Sequence, residues 1–133
     1  MLYMDANFFI FAVLDTTEKG EKARKILREI VAGKRQAITS VLTLDEILWV
    51  LRRNKKEEIR RKVIEDIYAI PNLEVKAVSA LIPLRALEYI EKYNLKPRDA
   101  FHCACMEEFQ INIIVSDDAD FDKVKNITRL KIE

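Results

Sequence analysis

Ile111-Asn112-Ile113-Ile114-Val115-Ser116-Asp117-Asp118-Ala119-Asp120 carries an apolar, β-branched run straight into a cluster of acids. β-Branched side chains suit a pleated backbone, and a short apolar run bounded by polar residues is the pattern of a strand buried on both faces. Strands of that kind belong to parallel sheets covered by helices. Residues 116–122 then read as a polar loop at the exit of that strand. Open parallel sheets bind their ligands beyond the C-terminal ends of the strands, so the place of this acid is as informative as its amount.

Outward from this stretch, strand and helix patterns alternate. Residues 1–4 are short and apolar until Asp5 interrupts them, which predicts a buried strand ending at Asp5. Residues 6–14 are apolar almost all round and predict a buried helix. Asp15-Thr16-Thr17 breaks it and offers caps to the next helix, 18–32. There Ala23, Ile26, Leu27, Ile30 and Val31 share one face, and Gly33 is a C-terminal stop. A short strand is expected over 36–40. Ser40 or Thr43 then caps a helix carrying Leu44, Ile47, Leu48 and Leu51, with Asn54 at its end. Ile59, Val63, Ile64 and Ile67 mark a helix over 56–69, closed by Pro71. Residues 73–78 alternate like a half-buried strand, and a helix through Tyr93 tolerates Pro83 in its first turn. A turn at 94–98 leads into a helix over 99–109, and 130–132 suits a final edge strand. The alternation predicts an α/β fold. It is a three-layer α/β/α arrangement around a mostly parallel sheet of about four or five strands, built as one domain over residues 1–133.

Half of the 133 residues are hydrophobic and 34% are charged, while Gly (2) and Pro (3) are too scarce for long linkers. A chain of this length buries roughly two-thirds of its surface on folding and needs no disulfide to do so. The formal net charge of +1 gives no global argument for nucleic acid, so any such binding must rest on local patches. Cys103 and Cys105, two apart on a helix, point in different directions and read as small buried residues. The start, Met1-Leu2-Tyr3-Met4-Asp5, lacks the pattern of a signal peptide. No run approaches the roughly 18 apolar residues of a membrane span. A soluble, cytoplasmic protein without membrane contact is the expectation.

Four acids stand where local packing does not ask for them. Asp5 ends the first strand, Asp118 lies in the loop after the 111–115 strand, Glu46 sits one turn into its helix, and Asp99 opens another. Asp99 has a plain alternative as a helix N-cap, and Asp118 or Asp120 as a loop-shaping residue. Asp5 and Glu46 are harder to explain that way, because an unpaired carboxylate among apolar neighbours is costly. Carboxylates brought together repel and raise one another's pKa values. A divalent cation removes that conflict, and oxygen-only ligands select Mg²⁺ or Mn²⁺. Spacing alone does not assemble the site, since the acids are scattered over most of the chain.

Four segments in order supply what spacing does not. They are Tyr3-Met4-Asp5-Ala6-Asn7, Ser40-Val41-Leu42-Thr43-Leu44-Asp45-Glu46-Ile47, Arg98-Asp99-Ala100-Phe101-His102-Cys103-Ala104 and Ile114-Val115-Ser116-Asp117-Asp118-Ala119-Asp120-Phe121. Together they resemble the motifs of PIN-domain proteins, most of all the small VapC-type toxins of toxin–antitoxin pairs. The resemblance implies a metal-dependent endoribonuclease using Mg²⁺ or Mn²⁺. It implies metal-binding and catalytic roles for Asp5, Glu46, Asp99 and Asp118, with Asp120 a further candidate ligand and Asn7 and Ser116 in support. It also implies an RNA substrate, a homodimer and a small antitoxin partner. A PIN-type nuclease of cellular RNA processing and a non-cleaving RNA- or protein-binding module are the alternatives within the family. An aspartate-nucleophile phosphatase is disfavoured, because it wants a second Asp where this chain has Asn7 and gains nothing from Asp99.

His102, the single histidine, reads as a helix residue satisfying a local partner, although its place one turn after Asp99 puts it near the acids. Residues 52–62 hold seven basic side chains against Glu57 and Glu58. Ordinarily that is a solvated face laced with ion pairs. As phosphate contacts, Arg52 and Arg53 are the better candidates there, with Arg98 beside Asp99. Phe8, Phe9, Phe11, Leu48, Trp49 and Val50 make the early helices unusually apolar. Core packing explains most of them, and the resemblance assigns the remainder to homodimer and antitoxin contacts.

Overall fold

Alternate residues of a strand point to opposite faces of its sheet, and in this protein both faces are apolar. The computed structural model describes residues 1–133. In chain order the elements are β1 (Leu2–Met4), α1 (Ala6–Leu14), α2 (Glu18–Val31), β2 (Ala37–Ser40), α3 (Val41–Arg53), α4 (Arg60–Tyr68), β3 (Leu73–Lys76), α5 (Ile82–Tyr93), α6 (Pro97–Phe109), β4 (Ile113–Val115) and β5 (Thr128–Leu130). Short 3₁₀ turns cover Glu57–Ile59 and Ala119–Lys123. Leu2, Met4, Ala37 and Val115 pack on one side with Phe8, Phe9, Ile47, Leu51 and Ile67. Tyr3, Ile38 and Ile114 pack on the other with Ile82, Ala86, Cys103, Ala104 and Met106. The three-layer α/β/α reading of the sequence therefore holds.

The sheet has five strands in the order β3-β2-β1-β4-β5. All four pairings are parallel. The chain builds outward from β1 through β2 to β3, then returns to the far side of β1 for β4 and β5. Connections leaving β1 and β4 thus diverge, which opens a crevice at their C-terminal ends. Asp5 and the acidic 116–120 loop sit at that crevice. No helix is long and apolar enough to cross a membrane.

Several boundaries differ from the sequence reading, each for a local reason. Helix α6 begins at Pro97 with Lys96 as its N-cap, so Asp99 is not the cap. Proline's fixed φ suits the first helical position. Strand β4 starts at Ile113, because the left-handed Gln110 (φ 59) and the Ile111 N–H bond to Met106 O (2.9 Å) still belong to the end of α6. The last strand is Thr128–Leu130 rather than 130–132, although Ile132 is fully buried. The helix expected over 56–69 opens with a 3₁₀ turn instead. Ser40 does stand at the N-cap position of α3, but its hydroxyl is not used for capping. Cys103 and Cys105 are buried and unpaired.

One tight contact fixes how α2 leaves α1. The Asp15 carboxylate accepts from Thr17 N (2.7 Å) and Gly20 N (3.3 Å). Arg24 donates to the carbonyls of Ala12 (3.2 Å) and Asp15 (2.9 Å). Gly20 is buried so close to Asp15 that a Cβ would overlap the Asp15 backbone carbonyl. In an open helix, Gly→Ala stabilises by about 0.5–1 kcal/mol. Here the sign reverses: Gly20→Ala is expected to lower stability by about 1–3 kcal/mol, read as an earlier midpoint in urea unfolding.

Candidate active site

Asp5 follows β1 directly and is the N-cap of α1, its Oδ1 accepting from Ala6 N at 2.7 Å. It is only 5% exposed. Its Oδ2 accepts from Ser116 Oγ (2.6 Å) and Asn7 Nδ2 (3.3 Å). Asn7 also donates to Ser116 Oγ (3.2 Å) and accepts from Asp117 N (3.2 Å). Asp118 N donates to Ser116 Oγ at 3.0 Å. Asn7 and Ser116 thus lace the exit of β1 to the exit of β4. Burial pushes the Asp5 carboxyl above its usual range, against the opposing pull of His102 and the Ser116 hydrogen bond.

The structure brings all five sequence-selected acids to this edge of the sheet. Asp5, Glu46 and His102 offer atoms within 4.8 Å of one another, and so do Asp99, Asp118 and Asp120. Asp99 is pushed up to about 7 by burial first, then by the negative charges of Asp118 and Asp5. Its Oδ2 is one of only two buried side-chain polar atoms without a partner, the other being Thr43 Oγ1. Asp118 Oδ1 accepts from Asp120 N (2.9 Å), so Asp118 shapes the loop as well as facing Asp99. Asp120 is paired with Lys123 at 3.3 Å.

Sequence reasoning understated His102. Its partners are distant in sequence: Nε2 bonds the Glu46 carboxylate, and Nδ1 meets the Tyr3 hydroxyl at 2.6 Å. The ring is fully buried, 3.8 Å from Asp5. Burial works against its charge, but the Glu46 hydrogen bond and the charges of Asp5, Glu46 and Asp99 outweigh it, and the pKa rises. Tyr3 also meets Ser40 Oγ at 2.8 Å, which explains why Ser40 does not cap α3. The parity of Tyr3 between Leu2 and Met4 was the available signal, since it turns the ring to the α6 side of the sheet.

Two cations missed in the sequence hold the acidic loop. Lys19 pairs with Asp117 at 2.7 Å. Arg129 makes a two-pronged contact with Asp122 (2.9 Å each) and donates to Ser116 O at 3.2 Å. Of the arginines proposed from sequence, Arg98 lies 4.0 Å from Glu46. Arg52 and Arg53 are exposed at the far end of α3, six and seven residues beyond Glu46, roughly 9–10 Å along its axis. The basic run beyond them is largely ion-paired, Arg60 with Glu57, Arg61 with Glu65 and Lys62 with Asp66.

A hard divalent cation fits this donor set. It offers oxygen from five carboxylates, no thiolate, one buried carboxylate oxygen lacking a partner, and a single imidazole nitrogen already bonded to Glu46. The raised Asp99 pKa has a consequence for stability. A carboxyl whose folded pKa exceeds its unfolded value favours folding while protonated, and that contribution is lost as pH rises from about 4 through about 7. Metal-free protein is therefore expected to melt lower at pH 8 than at pH 5. Mn²⁺ or Mg²⁺ should raise Tm at pH 8 and do little at pH 5, because ligands must be deprotonated to bind. A metal-induced Tm shift equal at both pH values would contradict this account of Asp99.

Comparison with known proteins adds a family. A model described as "PIN domain" matches residues 2–127. Comparison with curated protein sequences gives no significant match. Among solved structures, the chain is similar to VapC20 of Mycobacterium tuberculosis, described as a sarcin–ricin loop cleaving toxin, with TM-score 0.77 and 18% identity over 96% of this chain and 97% of that one. VapBC2 of Rickettsia felis, bound to a promoter DNA fragment, gives TM-score 0.75 and 17% identity over 98% of each chain. DNA-bound VapBC of Salmonella typhimurium gives 0.71 and 17%, over 98% of this chain and 97% of that one. Likeness at such identities speaks for the fold.

Proposed function

The chain belongs to the PIN-domain family, and from that premise we propose that it is a divalent-metal-dependent endoribonuclease acting as the toxin of a toxin–antitoxin pair. One observation carries the reading. Asp5, Glu46, Asp99, Asp118 and Asp120 converge from four separate segments on the crevice where the sheet reverses its order. Isolated acids have local uses, but a part-buried convergence of them repels itself and favours a compensating cation.

Asp5, Glu46, Asp99 and Asp118 would hold Mg²⁺ or Mn²⁺. Asp120 ranks behind Asp118, because Lys123 already balances part of its charge. When bound, such a cation supplies positive charge to a phosphodiester oxygen and lowers the pKa of a water. The chain's own part is orientation. Ser116, Asn7 and the Ala6 N–H fix the rotamer of Asp5. His102 fixes that of Glu46. Burial and the charges of Asp118 and Asp5 favour a proton on Asp99, which a bound cation would displace. Arg98, and more distantly Arg52 and Arg53, are the candidate phosphate contacts on RNA.

Partners follow from exposed apolar surface. Val41, Leu48 and Trp49 form one stripe on α3, with Trp49 53% exposed, and Leu81, Leu84 and Leu87 line the outside of α5. Two separate patches are what a homodimer that also binds an antitoxin would use. The toxin assignment also draws on the VapC and VapBC names of the structural neighbours, and a cytoplasmic site of action goes with it.

Purified protein incubated with RNA and Mn²⁺ or Mg²⁺ is expected to cleave it internally, and EDTA to stop it. Asp5→Asn and Asp99→Asn should each lower the rate by about a hundredfold or more. Ser116→Ala should lower it by about ten- to a hundredfold, through misplacement of Asp5. Cleavage by Asp5→Asn at the wild-type rate would overturn the proposal.

A further inference from the structure

A groove of about 450 Å³ runs beside the carboxylates, lined by Leu42 and Asp45 of α3 and by Lys96, Pro97, Arg98 and Phe101 at the start of α6. Arg98, which lines the groove, lies 4.0 Å from Glu46, so the groove adjoins the acid cluster at that pair. Arg98 and Phe101, three apart, share a helix face, as do Leu42 and Asp45. Phe101 and Leu42 are half-buried, packed on the core beneath α6 while their remaining surface lines the groove.

Charge distinguishes this groove from the rest of the crevice. Lys19, Lys123 and Arg129 are each engaged with an acid of the 117–122 loop. Lys96 is exposed and engages none. Arg98 is half exposed and approaches only Glu46, at 4.0 Å. Both therefore remain available to an incoming anion at the groove. An aromatic face next to unengaged cations is the pairing that holds single-stranded nucleic acid, since every base has a face to stack and a phosphate beside it. Asp45 keeps phosphate away from its own side and presents an acceptor to the donating edge of a base.

We infer that this groove is a nucleotide subsite in which one unpaired base of single-stranded RNA stacks on Phe101 while a neighbouring phosphate lies between Lys96 and Arg98. The inference rests on the reading of the acids as an RNA-cleaving centre, and it adds which strand form enters and by which route. A duplexed base has both faces covered by its neighbours and is not free to stack there.

The test is binding in EDTA, where cleavage is off, using a fluorescein-labelled single-stranded oligoribonucleotide and its duplex, read by anisotropy. The single strand is expected to bind and the duplex to bind at least about tenfold more weakly. Phe101→Leu should weaken single-strand binding roughly tenfold, and Phe101→Tyr should restore it. Lys96→Ala and Arg98→Ala should each reduce the slope of log Kd against log salt by about one. Circular dichroism and melting identify any variant that fails to fold, and the two exposed cations keep the test open if Phe101→Leu does fail. Equal binding of strand and duplex, or wild-type affinity in folded Phe101→Leu and Arg98→Ala, would overturn the subsite. So would poly-glutamate binding abolished by Arg98→Ala while RNA binding stays unmoved, which would assign the groove to an acidic protein segment. Metal-dependent cleavage with unaltered binding in all the variants would sink the subsite and leave the nuclease reading intact. Altered binding without any cleavage by wild type would do the reverse.

Discussion

Ser116 Oγ donates to Asp5 Oδ2 across 2.6 Å, and the geometry of the whole crevice depends on that bond. Strands β1 and β4 are only three residues each, too short for ladder hydrogen bonds alone to define where their exits point. The side-chain network adds what the ladder lacks. Asp5 N bonds Val115 O at 3.2 Å, the hydroxyl of Ser116 bonds the Asp5 carboxylate, and Asn7 spans the two. A buried carboxylate without such donors would cost several kcal/mol or take up a proton. With them it stays in one rotamer at the point where the sheet changes direction, and α1 starts from it.

A second line of polar contacts crosses the molecule beneath that point. Ser40, Tyr3, His102 and Glu46 bond in sequence, joining the end of β2, the middle of β1, α6 and α3. Each member is buried or nearly so, and each has a partner, the condition under which a polar network in a core fixes a conformation rather than weakening it. Glu46 lies on a helix whose neighbours Ile47 and Leu51 are core residues, and the histidine gives its carboxylate a definite direction. One network orients Asp5 and the other orients Glu46, and the two approach at the 3.8 Å contact between His102 and Asp5.

The fold was legible because both faces of a parallel sheet must be apolar and helices must return the chain, so runs such as Ile113-Ile114-Val115 and the helical spacing of Ala23, Ile26 and Ile30 carry the architecture by themselves. Element edges were less legible. They are decided by a left-handed residue such as Gln110 or by a proline's fixed φ at Pro97, and nearby side chains compete for those positions. Four acids were selected on placement at strand exits and helix starts, and the fold gathers them with Asp120. The role of His102 was not legible, because its partners Tyr3 and Glu46 are 99 and 56 residues away. Such a contact exists only once β1, α3 and α6 have been packed together. Lys19 and Arg129 escaped for the same reason: a lone cation on a helix or edge strand says nothing about which loop it will reach.

The distribution of those cations separates two kinds of acid. Asp117 and Asp122 each have a Lys or Arg partner and hold the loop in shape, while Asp120, at the crevice, is paired with Lys123. Asp5, Asp99 and Asp118 have none, and Glu46 has only the histidine and a distant guanidinium. A lysine inserted among them would bring a single charge and three donors to a site with four carboxylates. It would leave most of the repulsion in place and fill the crevice. A small doubly charged ion would balance more of the charge in less volume. The chain neutralises the acids that support the loop and leaves Asp5, Asp99 and Asp118 at the crevice without a Lys or Arg partner. This division is what a loop-shaping origin for Asp118 and a capping origin for Asp99 both fail to explain, since either would be served equally well by a paired acid.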